Sequence, residues 1–365
     1  MKREASAWEQ VMLNQKCIMH TLVQISDINS FQQHLNKFQS FYYCYDEQNK
    51  QLVLNDSVQY TVNHSDLSFN DFVTQFSQQD FKKLSSLTVL PSGLVFSIAH
   101  AIGDGTLVRQ IVNSFISNEI INQSPGLCVS PSFVFQEEIQ NRPFILPAEV
   151  KLRFVPKPFN NHFLKNKSFK SNLNYKSNLN ERFNLFTSLI FNQISGSAQN
   201  YVGVGNCINV RPFTDCKYSL LNFYSTFSLN CIIDSTTKIQ DVLAELKTQI
   251  QNKIQQRDVF MQYKADLVKR TDHLFDGKWI RIEISNMGEF KEDIEFQLSI
   301  KSAIELISIN IYTYKNTIKG NLQYKDQILT EKEATFVQKS FEKLFALDKN
   351  FELLNIEEVV KIMNE

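Results

Sequence analysis

Glycine is scarce in this chain: 10 of 365 residues, where average usage would give about 25. Each glycine that remains is therefore more informative about backbone need. Five cluster in three segments: Gly103 and Gly105, Gly203 and Gly205, and Gly288. No G-x-x-x-x-G-K-[ST] loop is present, and Gly203-Val204-Gly205 lacks the third glycine of a dinucleotide fingerprint. G-x-S-x-G, the usual setting of a serine hydrolase nucleophile, is also missing. Net charge is absent too, with 38 Lys plus Arg against 38 Asp plus Glu. That balance removes the electrostatic case for nucleic acid or an anionic membrane as main partner. No window approaches 18 consecutive apolar residues, so no membrane span is expected. The six cysteines and six histidines are dispersed without a C-x-x-C pair, which argues against a structural zinc site. Scattered thiols and the lack of a signal-peptide run after Met1 point to a reducing, cytoplasmic setting.

What is present is apolar bulk. Apolar residues make up 43% of the chain, including 30 Phe, enough for a large core. The length suggests about two domains. Strand-like stretches are Met19–Ile25, Phe41–Tyr45, Gln51–Val62, Gly93–His100, Tyr201–Val210, Ser219–Ile233, Trp279–Ser285, Ala303–Tyr312 and Gly320–Tyr324. Helical spacing covers Ile28–Phe38, Asn70–Phe81, Thr106–Ile121, Phe183–Ile194 and Lys238–Gln255. Thr330-Glu331-Lys332-Glu333 is a capping box opening a last helix to about Leu347. Strands and helices interleave in both halves, so the fold class is mixed α/β.

Between Val150 and Asn180 the texture changes, with seven Lys or Arg and no acidic residue. It reads as a connection between two halves. Lys157, Lys165, Lys167 and Lys170 in it are candidates for facing an anionic ligand such as a nucleotide phosphate.

The stretch richest in chemistry is Ala99-His100-Ala101-Ile102-Gly103-Asp104-Gly105. A histidine ending a strand can project into a cleft, and imidazole is suited to taking a proton near neutral pH. An aspartate four positions on, flanked by two glycines, can fix a tight turn or bind an arginine. No third ligand accompanies the pair, so a metal role is not indicated.

This stretch resembles the H-x-x-x-D-G signature of the chloramphenicol acetyltransferase-like superfamily. That group includes alcohol acetyltransferases and the condensation domains of peptide synthetases. Three further segments follow in the family's order. Asn209-Val210-Arg211-Pro212 is similar to its v-[DN]-[LV]-R-P segment. Ile284-Ser285-Asn286-Met287-Gly288 is similar to the S-N-x-G segment of the alcohol acetyltransferase branch. Gly320 to Tyr324 with the terminal helix resembles the closing strand and helix. The plant-type D-F-G-W-G motif is absent. So are the P-L-x-R stretch before the histidine strand and the double histidine of condensation domains, here Ala99-His100.

The resemblance implies two similar lobes, each a mixed sheet with helices, and an active-site tunnel between them. Residues 1–156 would form the first lobe, 157–180 the crossover, and 181–365 the second lobe. It implies acyl transfer, with acetyl-CoA or another acyl-CoA as co-substrate and no bound cofactor or metal. The acceptor would be the hydroxyl or amine of a small molecule. An acyl carrier protein is an alternative donor, and a catalytically silent binding module is an alternative role. His100 would be the general base. Asp104 would be structural, with Arg211 its partner or else a contact to the donor's pantetheine arm. Ser285 or Asn286 would meet the oxyanion, Gly103 and Gly105 would shape the motif turn, and Lys157, Lys165 and Lys167 would face the donor's phosphates.

Overall fold

The computed structural model describes residues 1–25, 27–78, 83–119, 130–140, 164–195, 201–213, 222–232, 234–260, 263, 281–300 and 306–365. The first half contributes β1 (Lys2–Glu4), α1 (Ala7–Asn14), β2 (Cys17–Val23), α2 (Ile28–Leu35), β3 (Tyr43–Asp46), β4 (Gln51–Leu54) and β5 (Val62–His64). It continues with α3 (Phe69–Gln78), β6 (Ser85–Leu90), β7 (Gly93–Ala99), α4 (Gly105–Ser117) and two short helices, α5 (Pro131–Val134) and α6 (Gln136–Gln140). The second half opens with β8 (Leu164–Asn172), α7 (Leu179–Ser195), β9 (Tyr201–Asn209), β10 (Tyr224–Ile232) and α8 (Ile239–Gln255). It closes with β11 (Arg281–Phe290), β12 (Ile294–Ile300), β13 (Leu306–Tyr314), β14 (Thr317–Lys325), α9 (Glu331–Phe345) and α10 (Ile356–Asn364).

Alternation builds two main sheets. One has five strands in the order β12-β2-β7-β6-β5, and the other has six in the order β10-β9-β11-β13-β14-β8. A small sheet, β1-β4-β3, flanks the first. In the five-stranded sheet, Met19 pairs with Ile98 and with Leu298, so these apolar side chains share one face. They join the same core as Phe31 and Leu35 of α2 and Val108 and Ile111 of α4. The opposite face carries Leu22 and Val95 under α3. In the six-stranded sheet, Ile307, Ile309 and Ile311 alternate with Ser308, Asn310 and Tyr312. The isoleucines pack with α7, α8 and α9, and the polar face looks the other way.

β12 departs from the simple division into halves. It follows β11 in the chain but pairs with β2, so a strand from after residue 180 completes the first lobe's sheet. The hydroxyl of Tyr312 fixes this crossing: it donates to the Ile294 carbonyl and accepts from the Phe296 amide. A second departure concerns residues 157–180. Leu164–Asn172, read as connection, is instead an edge strand paired along its length with β14. Phe169 lies over Gly320, where an added Cβ would come within 2.0 Å of the ring. The glycine thus lets an aromatic ring cover the sheet, where it stacks on Phe341 of α9 at 5.0 Å.

Helix ends follow local chemistry. Asp104 caps α4 through its side chain. The expected continuation to Ile121 stops because Asn118 takes a left-handed φ of 55° and turns its N–H back to Ser114 and Phe115. Thr330 and Glu333 form a reciprocal capping box on α9. In β11 the register with β13 shifts between Asn286 and Glu289. Gly288 absorbs that bulge at φ 85°, and the Arg109 guanidinium of α4 lies where its Cβ would be.

Candidate active site

His100 follows β7 directly. Its amide donates to the Cys17 carbonyl of β2, and the next turn closes with Ile102 N–H bonding Ala99 O at 3.0 Å. The Asn222 amide reaches across from before β10 to the His100 carbonyl. These bonds fix the backbone and leave the ring projecting over Tyr224, with ring centroids 4.7 Å apart. Nδ1 is sealed from solvent with no well-formed hydrogen bond, and the residue lines the cleft. Burial lowers the imidazole pKa below its ordinary value. The backbone of His100 and Gly103 and the carboxylates of Asp104 and Glu283 oppose that shift without overcoming it.

Asp104 is occupied on every side. Oδ1 accepts from Leu107 N–H at 3.0 Å, capping α4. Oδ2 accepts from Phe223 N–H at 2.8 Å and pairs with Arg211 Nη1, also at 2.8 Å. Arg211 in turn donates to Asn209 Oδ1 at 3.0 Å. The carboxylate ties the motif turn of the first lobe to the β9–β10 end of the second, and both of its oxygens are engaged. Gly103 and Gly105 do not have positive φ, which among the described glycines is found at Gly93 and Gly288. Their role is space: a Cβ on Gly103 would crowd Leu107 and Ile98, and one on Gly105 would press on Met287.

The cleft beside His100 has a volume of about 70 Å³. Its floor is the polar face of the six-stranded sheet, with Cys207, Glu283, Ser285, Ser308 and Asn310; Phe296 and Leu298 of β12 form an apolar wall. Ser285 and Asn286 both line it but differ in availability. The Asn286 amide donates to Asn180 Oδ1 at 2.8 Å, and its oxygen accepts from Gly288 N–H at 3.0 Å. Ser285 makes no hydrogen bond to any described residue and keeps its hydroxyl for the cleft.

The lysines do not join this group. Lys165 and Lys167 lie on β8, at the far edge of the sheet from β9, and Lys167 pairs with Glu331 of α9. Neither lines the cleft. Lys157 lies outside the described residues. Among the described residues there is no group of three metal-ligating side chains, and no helix is long and apolar enough to cross a membrane. Sequence reading missed Tyr224, Asn222, Cys207 and Glu283 as cleft neighbours. The alternation of β11 places Glu283 and Ser285 on one face, but only the pairing with β9 and β13 turns that face toward His100.

No protein-family model and no curated protein sequence matches the chain. Solved structures do. The starter condensation domain of rhizomide synthetase RzmA aligns over 98% of this chain and 98% of its own, at 9% identity and TM-score 0.58. The fold is that of condensation domains. It is an α/β fold of two lobes. A mutant of the same starter domain in complex with C8-CoA and Leu-SNAC aligns over 98% of this chain and 96% of its own, at 9% identity and TM-score 0.65. The first condensation domain of the calcium-dependent antibiotic synthetase, in complex with a substrate analogue, covers 98% of both chains at 9% identity and TM-score 0.65.

Proposed function

We propose that this protein is an acyltransferase that moves an acyl group from a CoA thioester to the hydroxyl or amine of a small molecule. The observation that carries the reading is the placement of His100, which lines a cleft between the two main sheets with Nδ1 sealed from solvent. A base must be neutral to act, and burial favours the neutral form of this one. With Nδ1 sealed from solvent, Nε2 is the nitrogen assigned to the acceptor.

Nε2 takes the proton as the acceptor oxygen or nitrogen attacks the thioester carbonyl. The tetrahedral oxyanion meets the Ser285 hydroxyl, which has no other partner to give up. The C–S bond then breaks and the imidazolium returns its proton to the departing thiolate. No acyl-enzyme is required. Much of the rate comes from holding donor and acceptor in one cleft. Asp104 and Arg211 hold the turn that carries the base. The free cysteines among the described residues, Cys17, Cys44, Cys207 and Cys231, suit a cytoplasmic enzyme.

The test is thiol release from acetyl-CoA and octanoyl-CoA with a panel of alcohols and amines. Wild type should release thiol in an acceptor-dependent way without any carrier protein, and His100→Ala should lower the rate by about 10²–10⁴-fold. Release that occurs only from a carrier-bound thioester would replace CoA as donor. Equal rates in wild type and variant would remove His100 from the chemistry.

A further inference from the structure

Three consecutive residues leading into β10 each hold a different part of the motif turn. The Asn222 amide donates to the His100 carbonyl. The Phe223 N–H donates to Asp104 Oδ2 at 2.8 Å. Tyr224 meets the His100 ring itself, with centroids 4.7 Å apart and planes at 41°. Tyr224 lines the cleft and is held in place from behind. It pairs with Asn209 of β9, its carbonyl accepts from the buried Tyr263 hydroxyl, and its ring lies 6.1 Å from that of Trp8 on α1. Nδ1 of His100 has no well-formed hydrogen bond. An aromatic face therefore stands where a hydrogen-bonding partner would ordinarily orient a base.

We propose that Tyr224 is the positioning residue of the base: its ring face holds the His100 imidazole at the cleft and stabilises it once it carries the acceptor's proton. The inference rests on the acyltransferase reading and adds a residue to its chemistry. The face of an aromatic ring is negative, and a cation within about 6 Å of the centroid is attracted to it. A neutral imidazole gains little from that face. An imidazolium gains more, and it exists only from the transition state until its proton passes to the thiolate. The contact thus favours the transition state over the ground state, which is the condition for raising kcat. The other charged groups acting on this imidazole are Asp104, paired with Arg211, and Glu283 on β11, which interacts with the thiols of Cys17 on β2 and Cys207 on β9. A change at Tyr224 leaves all of them in the chain.

The test compares Tyr224→Phe, which keeps the ring, with Tyr224→Leu, which keeps apolar bulk and loses the face. In acceptor-dependent thiol release from octanoyl-CoA, Tyr224→Leu should lower kcat about tenfold with KM within about threefold, and Tyr224→Phe should stay within about threefold of wild type. NMR titration of the labelled His100 imidazole decides without turnover. Its midpoint should fall by about 0.5–1 pH unit in Tyr224→Leu and stay at the wild-type value in Tyr224→Phe. A midpoint unchanged in Tyr224→Leu, or moved equally by both variants, overturns the proposal. A loss of kcat without that shift is a structural effect and overturns it as well. Wild type that turns over no acceptor removes the acyltransferase reading, and the midpoint still decides whether the Tyr224 face favours the imidazolium. If Tyr224→Leu fails to fold, Tyr224→Met carries the same expectation.

Discussion

Asp104 and His100 belong to one turn, four residues apart, yet their surroundings are opposite. Asp104 is buried with both oxygens engaged by Leu107, Phe223 and Arg211. His100 has a backbone fixed from two sides and a ring whose Nδ1 has no well-formed hydrogen bond. Full satisfaction gives rigidity; incomplete satisfaction beside a cleft leaves a group available for chemistry. The same contrast recurs on β11, where Asn286 is engaged on both sides of its amide and Ser285, its neighbour, is available. In each lobe one residue of the motif holds the shape while a near neighbour keeps its side chain for the cleft.

The contrast breaks most directly at Asp104. Removing its carboxylate leaves Arg211 partly buried without its ion pair, so Asp104→Ala should cost about 3–5 kcal/mol in urea unfolding. A loss below about 1 kcal/mol would show that the lobes are not tied there. Ser285→Ala should act the other way, lowering kcat by about 10²–10³-fold while stability shifts by less than about 0.5 kcal/mol; an unchanged kcat would move the oxyanion donor elsewhere. Gly288→Ala forces a Cβ onto a left-handed backbone and against Arg109, and should destabilise by about 1–3 kcal/mol. Retained stability would mean the β11 bulge can relax.

The smallest effect sharpens the contrast by using a histidine of the opposite kind. His20 is fully buried, bonded to Ser97 Oγ at 2.8 Å and Ser299 Oγ at 2.9 Å, with its pKa lowered to about 3. Its folded pKa lies below the unfolded value of 6.5. Protons therefore bind the unfolded chain first, and its contribution to stability falls as pH drops below 6.5. Chemical denaturation should show a slope about 1.2 kcal/mol per pH unit steeper in wild type than in His20→Gln between pH 6 and 5. Equal slopes would mean that His20 is protonated in the folded state.

Much of this frame was legible in residue order. The Leu94, Phe96 and Ile98 alternation meeting the spacing of Val108, Ile111 and Val112 outlines the strand, turn and helix around His100. The alternation of Ile282 and Ile284 likewise outlines β11. What stayed hidden was long-range. Nothing local in Ile294–Ile300 says that it will pair with β2 rather than with its chain neighbours. Leu164–Asn172, rich in Lys, Asn and Ser, reads as solvated connection because an edge strand with one half-exposed face carries little apolar signal. The cleft positions of Cys207 and Glu283 depend on the β9–β11–β13 register, which spacing alone does not set. The lysines were attractive as phosphate contacts because clustered charge is visible in a sequence, whereas the partner that engages Lys167, Glu331, is far along the chain.

The central claim is that His100 supplies the chemistry of this turn and Asp104 its shape. The most direct test is acceptor-dependent thiol release from octanoyl-CoA by wild type and His100→Ala, measured beside their unfolding curves. The account predicts a rate loss of about 10²–10⁴-fold with an unfolding midpoint close to wild type. A His100→Ala protein that stays folded and turns over at the wild-type rate would contradict it.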